Sequence, residues 1–138
     1  MNALKLPEGR TRRFALLTIA PFFLLAGLNH FRDPAFYLAM MPPYLPARGA
    51  LIAITGVLEI AGGADTLSPR FRCQAGRGLA GLLVAVFPAN LHVALTPDIF
   101  PDLSVAVLWA RLPAQVLLIA WCLWATDARA AATTGPGR

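Results

Sequence analysis

Charge is what this chain has least of: 14% of its 138 residues are Asp, Glu, Lys or Arg, where an ordinary soluble domain carries about a quarter. Hydrophobic residues make up 57%, and the mean hydropathy is +0.61. A soluble domain of this size buries only about two-thirds of what its unfolded chain exposes, so it could not hide that much apolar surface. A soluble enzyme is therefore disfavoured, and disorder requires the opposite composition. Cysteine is also scarce. Cys73 and Cys122 form no C-x-x-C, and the topology below puts both toward the cytoplasm, where disulfides are disfavoured. His30 and His92 have no partner at metal-ligand spacing, so no metal site is expected. A nucleophile elbow, an HExxH helix and an acidic pair are all missing. Whether the protein is an enzyme stays open at this level.

The charges that exist lean basic, with 12 Lys and Arg against 7 Asp and Glu and a pI near 10.2. Such a balance ordinarily suggests nucleic acid, but the positions of these residues argue otherwise. No charged residue occurs from Phe14 to Phe31 or from Gly78 to Pro97. Each stretch is about long enough to cross a hydrocarbon core as a helix. Allowing one interior charge each adds two more spans, one with Glu59 and one with Arg111. The expectation is an all-α polytopic membrane protein, a bundle of four transmembrane helices over about 13–31, 48–66, 76–96 and 103–126. A tail at 1–12 precedes the bundle and a flexible tail at 128–138 follows it. Pro21, Pro88 and Pro113 fall inside spans, which membrane helices tolerate better than soluble ones.

Orientation follows from the flanking basic residues. Lys5, Arg10, Arg12, Arg13, Arg70, Arg72, Arg77, Arg129 and Arg138 share one side if both termini are cytoplasmic. The other side then has only Arg32 and Arg48 beside Asp33, Asp98 and Asp102. Counting all fixed charges outside the spans, the cytoplasmic face carries +6 and the outer face −1. The excess is an orientation signal, with the lipid bilayer as partner and no role for nucleic acid. The first span follows a basic segment as a signal peptide would, yet no small-x-small cleavage site follows it, so it reads as an uncleaved helix. The longest connection, Arg32 to Arg48, mixes Pro34, Pro42, Pro43 and Pro46 with Phe36, Tyr37, Tyr44, Met40 and Met41. That composition suits a segment in the headgroup layer, acting either as a cap on the bundle or as a gate over a cavity.

Gly76-Arg77-Gly78-Leu79-Ala80-Gly81 matches a dinucleotide fingerprint literally, but it opens a membrane helix instead of joining a strand to one. Its glycines are expected to let a neighbouring helix approach closely.

The informative residues are the polar ones inside the spans. A Glu or Arg at mid-helix costs at least about 2.5–3.5 kcal/mol and needs a partner or a water-filled cavity. Counting the helical rise from the outer ends puts Glu59 roughly 15 Å deep and Arg111 roughly 12 Å deep. A buried Glu59–Arg111 pair is therefore expected. Thr55, Gly56, Glu59, Gly62, Gly63 and Thr66 make one small, polar stripe at i+3/i+4 spacing. Ser104, Arg111, Gln115 and Cys122 share a face of the last span, and Thr18 and Asn29 a face of the first. Asn90 lies near the depth of Arg111, but His92, two residues on, points away on a regular helix unless Pro88 distorts it. Glu59, Arg111, Asn90, Gln115, Asn29, His30 and His92 thus form the candidate polar core. It reads either as a pin fixing helix register or as a cavity for the polar head of a hydrophobic molecule.

Five ordered blocks resemble the DoxX-like family of small four-helix membrane proteins. They are Gly27-Leu28-Asn29-His30-Phe31 and Met41-Pro42-Pro43-Tyr44-Leu45-Pro46, with Pro34 and Tyr37 between these two; Thr55-Gly56-Val57-Leu58-Glu59-Ile60-Ala61-Gly62-Gly63; Phe87-Pro88-Ala89-Asn90; and Arg111-Leu112-Pro113-Ala114-Gln115. The resemblance implies a multi-pass protein of the bacterial cytoplasmic membrane. It implies an accessory, non-catalytic subunit of a membrane redox complex, with partner subunits and a quinone as possible cofactor. The alternatives are a lipid- or small-molecule-binding protein and a membrane-protein assembly factor. It carries no catalytic set, and haem or cluster ligands are not evident in the chain, so no covalently held cofactor is expected.

Overall fold

Five α-helices and one 3₁₀ turn account for most of the chain in a computed structural model that describes residues 6, 7 and 9–127. The expected tails lie largely outside the described residues. The helices are α1 (Arg10–Arg32), α2 (Pro34–Met40), α3 (Arg48–Asp65), α4 (Arg72–Leu95) and α5 (Val105–Thr126), with the 3₁₀ turn at Pro97–Ile99. The all-α expectation stands. Three helices, α1, α4 and α5, are long and apolar enough to cross a membrane. This is the pattern of a membrane protein, and exposed Leu, Phe, Val and Trp side chains on their outer surfaces agree with it. The span expected over 48–66 does not meet the same measure. Its helix, α3, has 18 residues, about 27 Å at helical rise, and includes Arg48, Glu59 and Asp65.

Local chemistry sets the boundaries. Asp33 ends α1 and starts α2: its Oδ1 accepts from the Phe36 N–H at 3.2 Å, and Pro34 takes the first helical position, where its missing N–H costs nothing. Pro42, Pro43 and Pro46 then forbid a long helix before α3. Ser104 caps α5 by accepting from the Val107 N–H at 3.3 Å. Pro21, Pro88 and Pro113 all lie within helices.

The long helices pack antiparallel in sequence order, α1 against α3 and α4 against α5, with α3 also on α4. Glycines set the closest approach. Gly27 lies against Gly56 and Ile60, and Gly63 against Ala20 and Phe23. Gly76 lies against Thr126, as expected of a glycine that admits a neighbour. Gly78 and Gly81 do not share that role: a Cβ on either would meet nothing within 4 Å. They face away from the bundle, because residues two and five beyond Gly76 leave its helix face. Gly78→Ala and Gly81→Ala should therefore leave the thermal unfolding midpoint in detergent unchanged or raise it, since helical Gly costs up to about 1 kcal/mol relative to Ala. A clear drop in that midpoint would place a neighbour on this face.

The two ends of the bundle differ. One half is filled by Ala15, Leu16, Ile19, Phe23, Leu79, Leu83, Cys122 and Ala125. Arg12, expected to lie in a tail, is helical and buried there; it donates to the Asp127 carbonyl at 3.1 Å and lies 5.6 Å from the Trp124 ring centre. The other half carries α2 and the 3₁₀ turn, and it is hollow.

Candidate ligand-binding cavity

All five helices line one open cavity of about 610 Å³ in that half, with mostly apolar walls. Phe23 and Leu83, shared with the filled half, and Leu118 lie toward its inner end. The outer end is covered by α2 and the segment after it, through Tyr37, Met40, Met41, Tyr44 and Leu45. The proline-rich connection is thus more than a headgroup-layer segment: its Asp33-Pro34 start folds a helical turn inward, and Met40 is buried. Tyr37 is fixed there. Its hydroxyl donates to the Ala26 carbonyl at 3.4 Å and accepts from Asn29 Nδ2 at 3.2 Å, and its ring lies 3.7 Å from that of His30.

Glu59 does not pair with Arg111. Its Oε2 instead lies 3.5 Å from His30 Nε2, with both residues buried. The reason is the helix arrangement. The glycines of α1 and α3 bring those two helices together and place His30 one turn from Gly27, whereas α5 packs chiefly on α4. Arg111 faces the same cavity, but its Nη2 contacts the Met40 sulfur at 3.8 Å. Among the described residues no carboxylate lies within ion-pair distance of its guanidinium.

The His30–Glu59 geometry restricts its protons. His30 Nδ1 lies 3.0 Å from the Ile52 carbonyl and 3.1 Å from Thr55 Oγ1. A carbonyl can only accept, so Nδ1 carries a hydrogen. Nε2 and Oε2 then face each other with lone pairs unless one proton lies between them. Oε2 has no hydrogen bond of its own. With one shared proton the pair is either imidazolium–carboxylate or imidazole–carboxylic acid, and neutral overall in both forms.

The other polar residues sort cleanly. Asn90 Nδ2 donates to Gln115 Oε1 at 3.0 Å, Gln115 Nε2 donates to the Leu83 carbonyl, and both side chains line the cavity. His92 is half-buried and off the lining, as the two-residue offset from Asn90 dictates. Asn29 serves the cavity only through Tyr37. Thr18 bonds to the Phe14 and Ala15 carbonyls of its own helix. Ser104 is a cap, and Cys122 lies in the filled half. Tyr37 and Met40 are site residues that residue type alone did not mark. The Asp33-Pro34 helix start was the available signal. Among the described residues no cluster of His, Cys, Asp or Glu could hold a metal ion.

The fold and cavity define a helical membrane protein with a mostly apolar internal cavity that carries a few polar groups. The chain belongs to the family described as Domain of unknown function (DUF8561), which it matches over residues 19–126. Every cavity-lining residue, from Phe22 to Leu118, falls inside that match. No curated protein and no solved structure matches the chain.

Proposed function

We propose that this protein binds a small hydrophobic molecule with a polar head inside the bilayer. The cavity carries the reading: about 610 Å³ lies within the range of roughly 300–1,000 Å³ for ligand sites, which are likewise mostly apolar with a few placed polar groups. In this reading α3 is the fourth span, because His30 and Arg111, which line the same cavity, give Glu59 a polar surrounding within the membrane. Both termini lie in the cytoplasm of a bacterial cell, as the asymmetry of basic residues supports, and the cavity sits in the outer half of the cytoplasmic membrane.

A second reading places the protein as an accessory, non-catalytic subunit of a quinone-linked redox complex. One observation favours it. Each of the five DoxX-like blocks supplies cavity-lining residues: His30; Met41, Tyr44 and Leu45; Thr55 and Glu59; Pro88, Ala89 and Asn90; and Arg111, Ala114 and Gln115.

Mass spectrometry of the full-length protein, purified in mild detergent at native expression, tests the binding reading. One hydrophobic compound should co-extract, and Ala114→Trp, which fills the cavity wall, should lose it without a change in melting. An empty wild-type preparation, or the same compound held by Ala114→Trp, would argue against a cavity ligand. Partner subunits in the same preparation would favour the redox-complex setting.

A further inference from the structure

We infer that the molecule held in this cavity carries a single negative charge, as a hydrophobic carboxylic acid or phosphodiester does; this rests on the cavity being a binding site. The inference comes from a charge count over the cavity walls. α1 contributes His30 and α3 contributes Glu59, a base and an acid 3.5 Å apart that count together as one neutral pair. The Tyr37 hydroxyl of α2 is engaged with Asn29 and the Ala26 carbonyl. α4 brings Asn90, neutral and bonded to Gln115 of α5. What is left is the guanidinium of Arg111, whose one described polar contact is the uncharged Met40 sulfur. An arginine in a low-dielectric wall is best matched by an anion, and among the described residues no carboxylate lies within ion-pair distance of it.

Arginine also suits such a ligand by shape, because its planar fork meets the two oxygens of a carboxylate or phosphodiester together. A monoanion brings the cavity to neutrality. A dianion would leave it negative beside Glu59, and a neutral head would leave Arg111 unmatched. The apolar remainder of the cavity, from Phe22 and Phe23 to Leu83 and Leu118, takes the hydrocarbon part.

The test uses full-length, delipidated protein in detergent with oleate, oleyl alcohol and decylubiquinone as probes, and nanodiscs containing dioleoyl phosphatidylglycerol or dioleoyl phosphatidylcholine. Oleate should bind about tenfold or more tighter than oleyl alcohol, the size of one charge-assisted hydrogen bond. Arg111→Gln should erase that preference, and Arg111→Lys should keep most of it. Folding of each variant is followed by thermal unfolding, so a lost preference counts only in protein that melts as wild type does. Retention of phosphatidylglycerol over phosphatidylcholine, without oleate binding, would assign the same charge to a lipid headgroup. Equal binding of oleate and oleyl alcohol, or decylubiquinone binding alone, would overturn the inference and leave the binding reading standing. No binding of any probe by folded protein would overturn both.

Discussion

Gly27→Val should abolish the folded protein. A Cβ at this position would lie 2.6 Å from the Gly56 carbonyl oxygen and 3.0 Å from the Ile60 backbone nitrogen. Both are backbone atoms of the facing helix, so no side chain can rotate to make room. Overpacking of ordinary cores costs about 1–3 kcal/mol because side chains give way; here α1 and α3 must separate, and the loss should exceed that range. Gly62 offers the contrast, because the nearest atoms to a Cβ there belong to the side chain of Leu79, which can rotate, so Gly62→Ala should be much milder. The comparison is thermal unfolding and gel-filtration profile in detergent for Gly27→Val, Gly62→Ala and Gly81→Val. A Gly27→Val protein that runs and melts like the wild type would show that the two backbones do not approach this closely. The same separation would move His30 from Glu59, one turn along the same interface, so partly folded material should also fail to hold a cavity ligand.

The glycines also show how much of the site was readable beforehand. The uncharged runs locate α1 and α4 well, because a bilayer-length helix leaves a stretch of sequence free of charge. Helix counting set Glu59, Asn90 and Arg111 near one depth, and in the fold these three line the cavity together with Gln115 and His30. It could not choose neighbours within that layer. Arg111 and His30 both line the cavity, and only the packing of α1 on α3 selects the histidine for Glu59. That choice had a trace in the chain: Gly27, Gly56 and Gly63 give both helices a small-residue face, the mark of close approach. The inward turn of α2 and the buried position of Arg12 depend on tertiary contacts over 115 residues of separation in the latter case, and no local pattern announces them. The dinucleotide-like glycines illustrate the opposite error, since only Gly76 of that run meets a neighbour.

Substitutions at His30 and Glu59 should be strongly non-additive. His30→Phe alone removes the imidazole beside a buried carboxylate oxygen that has no hydrogen bond, and breaking one side of a buried pair typically costs about 3–5 kcal/mol. Glu59→Met alone strands His30 Nε2 against an apolar surface, at about 1–3 kcal/mol for a lost buried partner. The double variant His30→Phe/Glu59→Met leaves neither group unsatisfied and fills similar volume. It should recover most of the stability, with a coupling of about 2 kcal/mol or more in a double-mutant cycle, near the upper part of the range for contacting residues. The neutral variant Glu59→Gln separates charge from contact. A glutamine amide can donate to Nε2, so it should stay close to wild type in melting temperature while it loses the shared proton. Arg111→Met combined with Glu59→Met, by contrast, should show little coupling, because their side chains share the cavity but not a contact. If instead the arginine double variant recovered stability and the histidine one did not, Glu59 would belong to Arg111 and the cavity would have no unmatched cation. The cycle thus decides both the partner of Glu59 and the charge available to a ligand.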